Sequence, residues 1–138
     1  MKKCKHRLSG KTYAVKIMRK FDEERLLAAQ NEYEILKKVK HKNIVKVKEF
    51  FPTDRELYTV MEYIDGQELF DRISEIEKYD ENIARKLFKQ LLKVIQYLHE
   101  EGICHRDIKP SNIMILKGED KLKLTDFNVS KHCENKIF

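Results

Sequence analysis

The sequence predicts an α+β fold, and three patterns carry that prediction. Alternating or β-branched runs at 12–18, 44–51 and 56–64 crowd the first half of the chain. Stretches at 22–40 and 82–101 hold neither Gly nor Pro and repeat apolar residues at helical spacing. A short strand pair at 113–116 and 121–125 follows the helices, so the coarse order is strands and one helix, then helices and a short hairpin.

In order along the chain, Lys5 to Ser9 leads into Gly10-Lys11, a turn signal, and alternation then begins at Thr12. Tyr13, Val15 and Ile17 fall on one face of that strand; Ala14, Lys16 and Met18 fall on the other. From Asp22 to Lys40 a helix is predicted with Ala28, Glu32, Ile35, Leu36 and Val39 on one face. Ile44 to Phe51 and Glu56 to Ile64 read as strands joined through Pro52-Thr53-Asp54, and Asp65-Gly66 ends the second. Glu68 to Ile76 reads as a short helix. Asn82 to Glu101 reads as a long one, with Ala84, Leu87, Phe88, Leu91, Ile95 and Leu98 as its apolar stripe and Gly102 closing it. A turn near Gly118-Glu119-Asp120 joins the last two strands.

At 138 residues the chain suits one modest domain, and 41% hydrophobic content can supply its core. The 38% charged content is mixed in sign, which argues against disorder. A net charge of +6 suits a polyanionic partner or a basic surface. The basic run from Lys37 to Lys48 is broken by valines and Ile44, so it reads as a solvated helix end and strand edge. No nucleic-acid partner is expected from it. Cys4, Cys104 and Cys133 are odd in number and lack CxxC spacing, which points away from a disulfide framework or zinc site. Cys104 reads as a buried thiol rather than a nucleophile paired with His105. No run reaches membrane-spanning length, so a soluble cytoplasmic protein without a membrane partner is expected.

Two constellations carry chemistry. Glu32 lies on the apolar face of its helix, where a carboxylate is costly unless neutralised. Lys16 is its natural partner, and small Ala14 on the same strand face leaves room for a flat ligand beside the charge. The alternative is an exposed lysine and a helix-rim glutamate. The second constellation is the segment His105-Arg106-Asp107-Ile108-Lys109-Pro110-Ser111-Asn112, followed by Asp126-Phe127. Asp107 can accept or orient a hydroxyl proton, and Lys109 can offset charge on a transferred phosphoryl group. Asn112 and Asp126 offer oxygen ligands suited to Mg²⁺. His105, flanked by Ile103 and Ile108, reads as a packed core histidine. Arg106 reads either as an ion-pair partner or as a surface arginine.

These elements, in this order, resemble a eukaryotic protein kinase. Ala14-Val15-Lys16-Ile17 resembles the nucleotide-lysine strand, and Asn31-Glu32-Tyr33-Glu34-Ile35-Leu36 its partner helix. His41-Lys42-Asn43-Ile44-Val45 resembles the loop that follows. His105 to Asn112 resembles the catalytic loop, with Lys109 in the serine/threonine form, and Asp126-Phe127-Asn128 the metal-binding triplet. The run Lys5 to Lys11 and the hinge look closest to calcium/calmodulin-dependent or calcium-dependent kinases.

The resemblance implies a bilobal fold, with residues 1–64 as small lobe and hinge and 65–138 as the start of the large lobe. It implies transfer of the ATP γ-phosphoryl group to a protein serine or threonine, with ATP and Mg²⁺ as cofactors. Asp107 and Lys109 would be catalytic, and Asn112 and Asp126 would hold the metal. Lys16, fixed by Glu32, would hold the α- and β-phosphates. Ala14 and Met114 would sandwich adenine. Met61 would be the gatekeeper, with Glu62, Tyr63 and Ile64 as the hinge and Glu68 near the ribose and substrate. Leu36, Val47, His105 and Phe127 would stack into a hydrophobic column, and Arg106 would receive an activation-loop phosphate.

Three departures stand against full activity. Nothing in Met1–Lys11 resembles the glycine-rich loop, and the first strand of the small lobe is lacking. Asn128 replaces the usual glycine, as the residue other than glycine that best tolerates left-handed angles. The chain stops at Phe138, within the expected activation segment. An incomplete, poorly stable fragment is therefore expected, prone to self-association through uncovered apolar surface. A non-catalytic kinase-like binding module, or degenerate kinase, is the alternative.

Overall fold

The computed structural model describes residues 1–19, 23–76 and 78–133. β1 (Lys2–Lys5) and β2 (Thr12–Arg19) form an antiparallel hairpin whose turn closes with the His6 N–H on the Lys11 carbonyl at 2.8 Å. α1 (Glu23–Lys38) follows, with Glu23 and Glu24 in its first turn and Lys37 and Lys38 in its last, matching the helix dipole. The predicted start at Asp22 lies outside the described residues. β3 (Val47–Pro52) and β4 (Glu56–Glu62) complete a four-stranded sheet in the order β1-β2-β4-β3.

Beyond the sheet come β5 (Gly66–Glu68), α2 (Leu69–Ser74) and α3 (Glu81–Glu100). Asp80 caps α3 by accepting the backbone N–H groups of Asn82 and Ile83. Gly102, at φ +70°, supplies the left-handed turn that ends it. β6 (Ile103–Cys104) leads into the loop at 105–109 and a single 3₁₀ turn at Pro110–Asn112. β7 (Ile113–Leu116) and β8 (Leu122–Leu124) join β5 in a three-stranded sheet, and β9 (Lys131–His132) pairs with β6. Gly66 is required at its place in β5, because a Cβ there would lie 2.0 Å from the Ile115 carbonyl oxygen.

The predicted α+β class stands, with local corrections. The strand expected from Ile44 begins only at Val47. Residues 43–45 pair with β8 instead: the Val45 N–H donates to the Leu124 carbonyl at 3.0 Å, and the Leu124 N–H to Asn43 at 2.8 Å. That pairing buries Ile44 and Val45 and stitches the four-stranded sheet to the second half of the molecule. On α1 the buried alanine is Ala29 rather than Ala28. On α3 the inward side is Leu87, Val94 and Leu98, and Phe88 remains 60% exposed. Leu87, Leu91 and Leu98 of the predicted stripe do pack into the core, as do Glu32, Ile35 and Leu36 of the α1 face, so the differences are confined to single positions. Glu68 ends a strand rather than starting a helix.

One continuous core runs from Ile35 and Leu36 through Met61, Ile113 and Leu124 to Phe127. Among the described residues no helix is long and apolar enough to cross a membrane.

Candidate active site

Between the two sheets lies a cavity of about 580 Å³. Its walls include Ala14, Lys16 and Glu32 from β2 and α1, Met61 to Ile64 after β4, and Glu68, Asn112, Met114 and Asp126 from the other side. Ten residues singled out in the sequence as ligand or metal contacts thus face one space. Asp107 and Lys109 are not among its lining residues; they reach it through Asn112.

The cationic end is built around Glu32, which is only 2% exposed. Its Oε2 accepts from Lys16 Nζ at 2.9 Å and its Oε1 from the Phe127 backbone N–H at 3.0 Å. Both carboxylate oxygens are therefore satisfied, the condition for keeping such a charge buried. The bland reading of an exposed lysine and a rim glutamate is excluded by this burial. Lys16 Nζ also donates to Asn128 Oδ1 at 3.0 Å and stands 4.0 Å from Asp126 Oδ1.

The second cluster is more open. Lys109 Nζ lies 3.1 Å from Asp107 Oδ2, and Asn112 Nδ2 donates to the same oxygen at 2.8 Å and to the Asp107 carbonyl at 2.9 Å. Those two hydrogen bonds, from Lys109 first and Asn112 second, hold the Asp107 carboxyl below its ordinary pKa. Asn112 is itself anchored, accepting at its carbonyl from the Thr125 N–H and hydroxyl at 2.9 and 3.1 Å. This places Asp126 next to the loop.

His105 is a packed histidine, as predicted, at 4% exposure. Its Nδ1 accepts the Asp107 N–H at 3.2 Å, so the proton sits on Nε2, which faces the Thr125 carbonyl at 3.2 Å. Burial pushes its pKa down, which favours this neutral form. Its ring meets Phe127 edge-on at 4.6 Å, while Leu36 and Phe127 share the buried core with Val47 packed against it. Arg106 donates through Nε to the Val129 carbonyl and adopts φ 66°. Glu62 Oε1 accepts from Lys123 Nζ at 2.6 Å.

Sequence reasoning treated Asn128 as a backbone substitution. Among the described residues, however, the non-glycine positions with positive φ are Arg106 and Asp126. Asn128 needs no left-handed angle, and what it contributes is a side-chain contact to Lys16. Ser130 was also missed; its hydroxyl donates to the His105 carbonyl at 3.1 Å. Neither contact has a sequence signal, because each joins segments whose separation leaves no periodic trace. Cys104 and Cys133 bring their sulfurs to 3.1 Å, and that neighbour, more than burial, raises the Cys104 pKa.

Such a site can hold a flat, phosphorylated ligand against an ammonium, with carboxylate and amide oxygens nearby for a hard cation. Comparison with known proteins gives the family. A family model described as the protein kinase domain matches residues 1–137. The chain is 39% identical over 145 residues to serine/threonine-protein kinase DCLK3 of Homo sapiens, covering 100% of this chain and 22% of that protein. It is 39% identical over 137 residues to calcium/calmodulin-dependent protein kinase type IV of Mus musculus, covering 98% and 29%. It is 41% identical over 128 residues to probable serine/threonine-protein kinase fhkC of Dictyostelium discoideum, covering 89% and 22%. The chain thus spans less than a third of the length of these relatives.

Proposed function

The chain belongs to the protein kinase domain family, and from that premise we propose that it transfers the ATP γ-phosphoryl group to a serine or threonine of a protein substrate. The observation that carries the proposal is the buried Lys16–Glu32 pair at 2.9 Å, facing the same cavity as Asn112 and Asp126. In this reading residues 1–64 form the small lobe and hinge, and 65–138 begin the large lobe. The cavity between them takes the nucleotide. An intracellular, cytoplasmic location goes with it, as does self-association through the exposed apolar side chains Phe70, Ile73, Phe88 and Leu92.

The donor set fits magnesium. Asn112 spends its amide N–H groups on Asp107 and leaves its oxygen as the ligand atom. Among the described residues no three His, Cys, Asp or Glu side chains converge, so no all-protein metal cage exists. That suits a cation which keeps waters and shares phosphate oxygens. When bound there by Asn112 and Asp126, magnesium supplies charge neutralisation at those oxygens.

The chain's own groups supply the rest. Lys16, held by Glu32, binds the α- and β-phosphates, and Ala14 and Met114 flank adenine beside the Met61–Ile64 hinge, with Glu68 near the ribose. Asp107 is ionised at neutral pH, and its lowered pKa makes it a weak base before reaction. It therefore orients the substrate hydroxyl and takes the proton late, as the oxygen becomes acidic on attack. Lys109, beside it, offsets charge on the phosphoryl group.

Radiolabelled phosphate transfer to a generic protein substrate tests this. Transfer by the longest chain encoded at this locus is expected, with Asp107→Asn reducing it by about 10²- to 10⁴-fold. No transfer, or transfer untouched by Asp107→Asn, overturns the enzymatic reading. Nucleotide binding without transfer would assign a non-catalytic kinase-like module.

A further inference from the structure

We propose that Asn128 is a positioning residue that competes with the ligand's phosphate for Lys16, an inference that rests on the nucleotide reading above. An ammonium has three N–H donors. Lys16 gives one to Glu32 Oε2 at 2.9 Å and another to Asn128 Oδ1 at 3.0 Å, so one is left. The same residue's backbone N–H donates to Asp126 Oδ1 at 3.2 Å. Asn128 therefore contacts both Lys16 and Asp126, the residues proposed above to hold phosphate and metal.

The contact is held from both sides. The preceding residue, Phe127, is fully buried and donates its N–H to Glu32 at 3.0 Å. Two residues on, Ser130 is 2% exposed, donates its hydroxyl to His105 and accepts Asn31 Nδ2 at its carbonyl at 2.8 Å. With its neighbours pinned, Asn128 presents its amide to Lys16 at little further entropic cost. A charged phosphate oxygen is the stronger acceptor for an ammonium and displaces the amide. That displacement weakens binding of a triphosphate. A nucleoside has no group for Lys16 and binds without the penalty. Asn128 thus narrows the preference for nucleotide over nucleoside, an effect glycine at this position would lack.

Two readouts on the full chain test this. Calorimetric titration with Mg·ATP and with adenosine compares the natural sequence with Asn128→Ala and Asn128→Gly. Both variants are expected to bind Mg·ATP about three- to tenfold more tightly, the scale of one hydrogen bond, with adenosine affinity unchanged. The second readout needs no ligand: reductive methylation of Lys16, followed by mass spectrometry, is expected to run faster in both variants. Unchanged or weaker Mg·ATP binding, with an unchanged methylation rate, overturns the inference. If the natural sequence binds neither Mg·ATP nor adenosine, the nucleotide reading fails. Faster methylation then still supports the Asn128–Lys16 contact, and an unchanged rate removes it.

Discussion

The Lys16–Glu32 pair and the Asp107–Lys109 pair have similar N–O distances, 2.9 and 3.1 Å, yet stand on opposite physical footings. Glu32 is 2% exposed, and its charge is tolerable only because Lys16 and the Phe127 N–H both serve it. The side chains of Asp107 and Lys109 are 34% and 52% exposed, so water solvates either one if the other leaves. Burial makes the first pair part of the architecture, and exposure leaves the second free for chemistry. The proposed reaction uses both, one end to hold a ligand still and the other to exchange a proton.

The largest effect expected from breaking this contrast is on stability. Lys16→Met leaves a buried carboxylate without its cation and should cost about 3–5 kcal/mol in a urea melt. Lys109→Met should cost less than about 1 kcal/mol, because its pair is solvent-screened. Equal losses from the two would show that burial does not separate them.

An intermediate effect is expected from pH. Burial lowers the pKa of His105 and of His41, in each case disfavouring the charged form in the folded state. The unfolded chain therefore takes up protons near pH 6.5 that the folded chain does not, so stability falls as pH drops through that range toward the lowered folded values. The melting temperature should decline from pH 7.5 to 5.5, and His105→Gln should flatten part of that slope. A slope untouched by His105→Gln would assign the decline elsewhere. Asp107 acts in a separate window: its folded pKa is also lowered, so its contribution is present above its unfolded value near 4 and lost only as pH falls further.

The smallest effect concerns the thiols. Contact with Cys133 raises the Cys104 pKa, so less reactive thiolate is present at neutral pH. Cys133→Ala should speed alkylation of Cys104 by iodoacetamide. A slower reaction would show that Cys133 activates its neighbour instead.

Much of the site was legible because it is local. Asp107, Lys109 and Asn112 occupy one loop, so their spacing already implied mutual reach, and two hydrogen bonds realise it. The helix carrying Glu32 was visible through its 3.6-residue period, although packing buried Ala29 in place of Ala28. Ile44 was misread for a different reason. A β-branched run announces extended backbone, but not which strand will pair with it, and here residues 43–45 pair with β8 rather than β4.

Residue chemistry and its order along the chain determined the fold class and the family, and singled out the residues proposed for phosphoryl transfer. Tertiary structure alone decided that Glu32 is sealed by a backbone N–H from Phe127, that Asn128 reaches Lys16, and that Cys104 meets Cys133. The physical reason is range. Propensity, periodicity and loop spacing act over a few residues, whereas these contacts exist only once distant segments have been packed against one another.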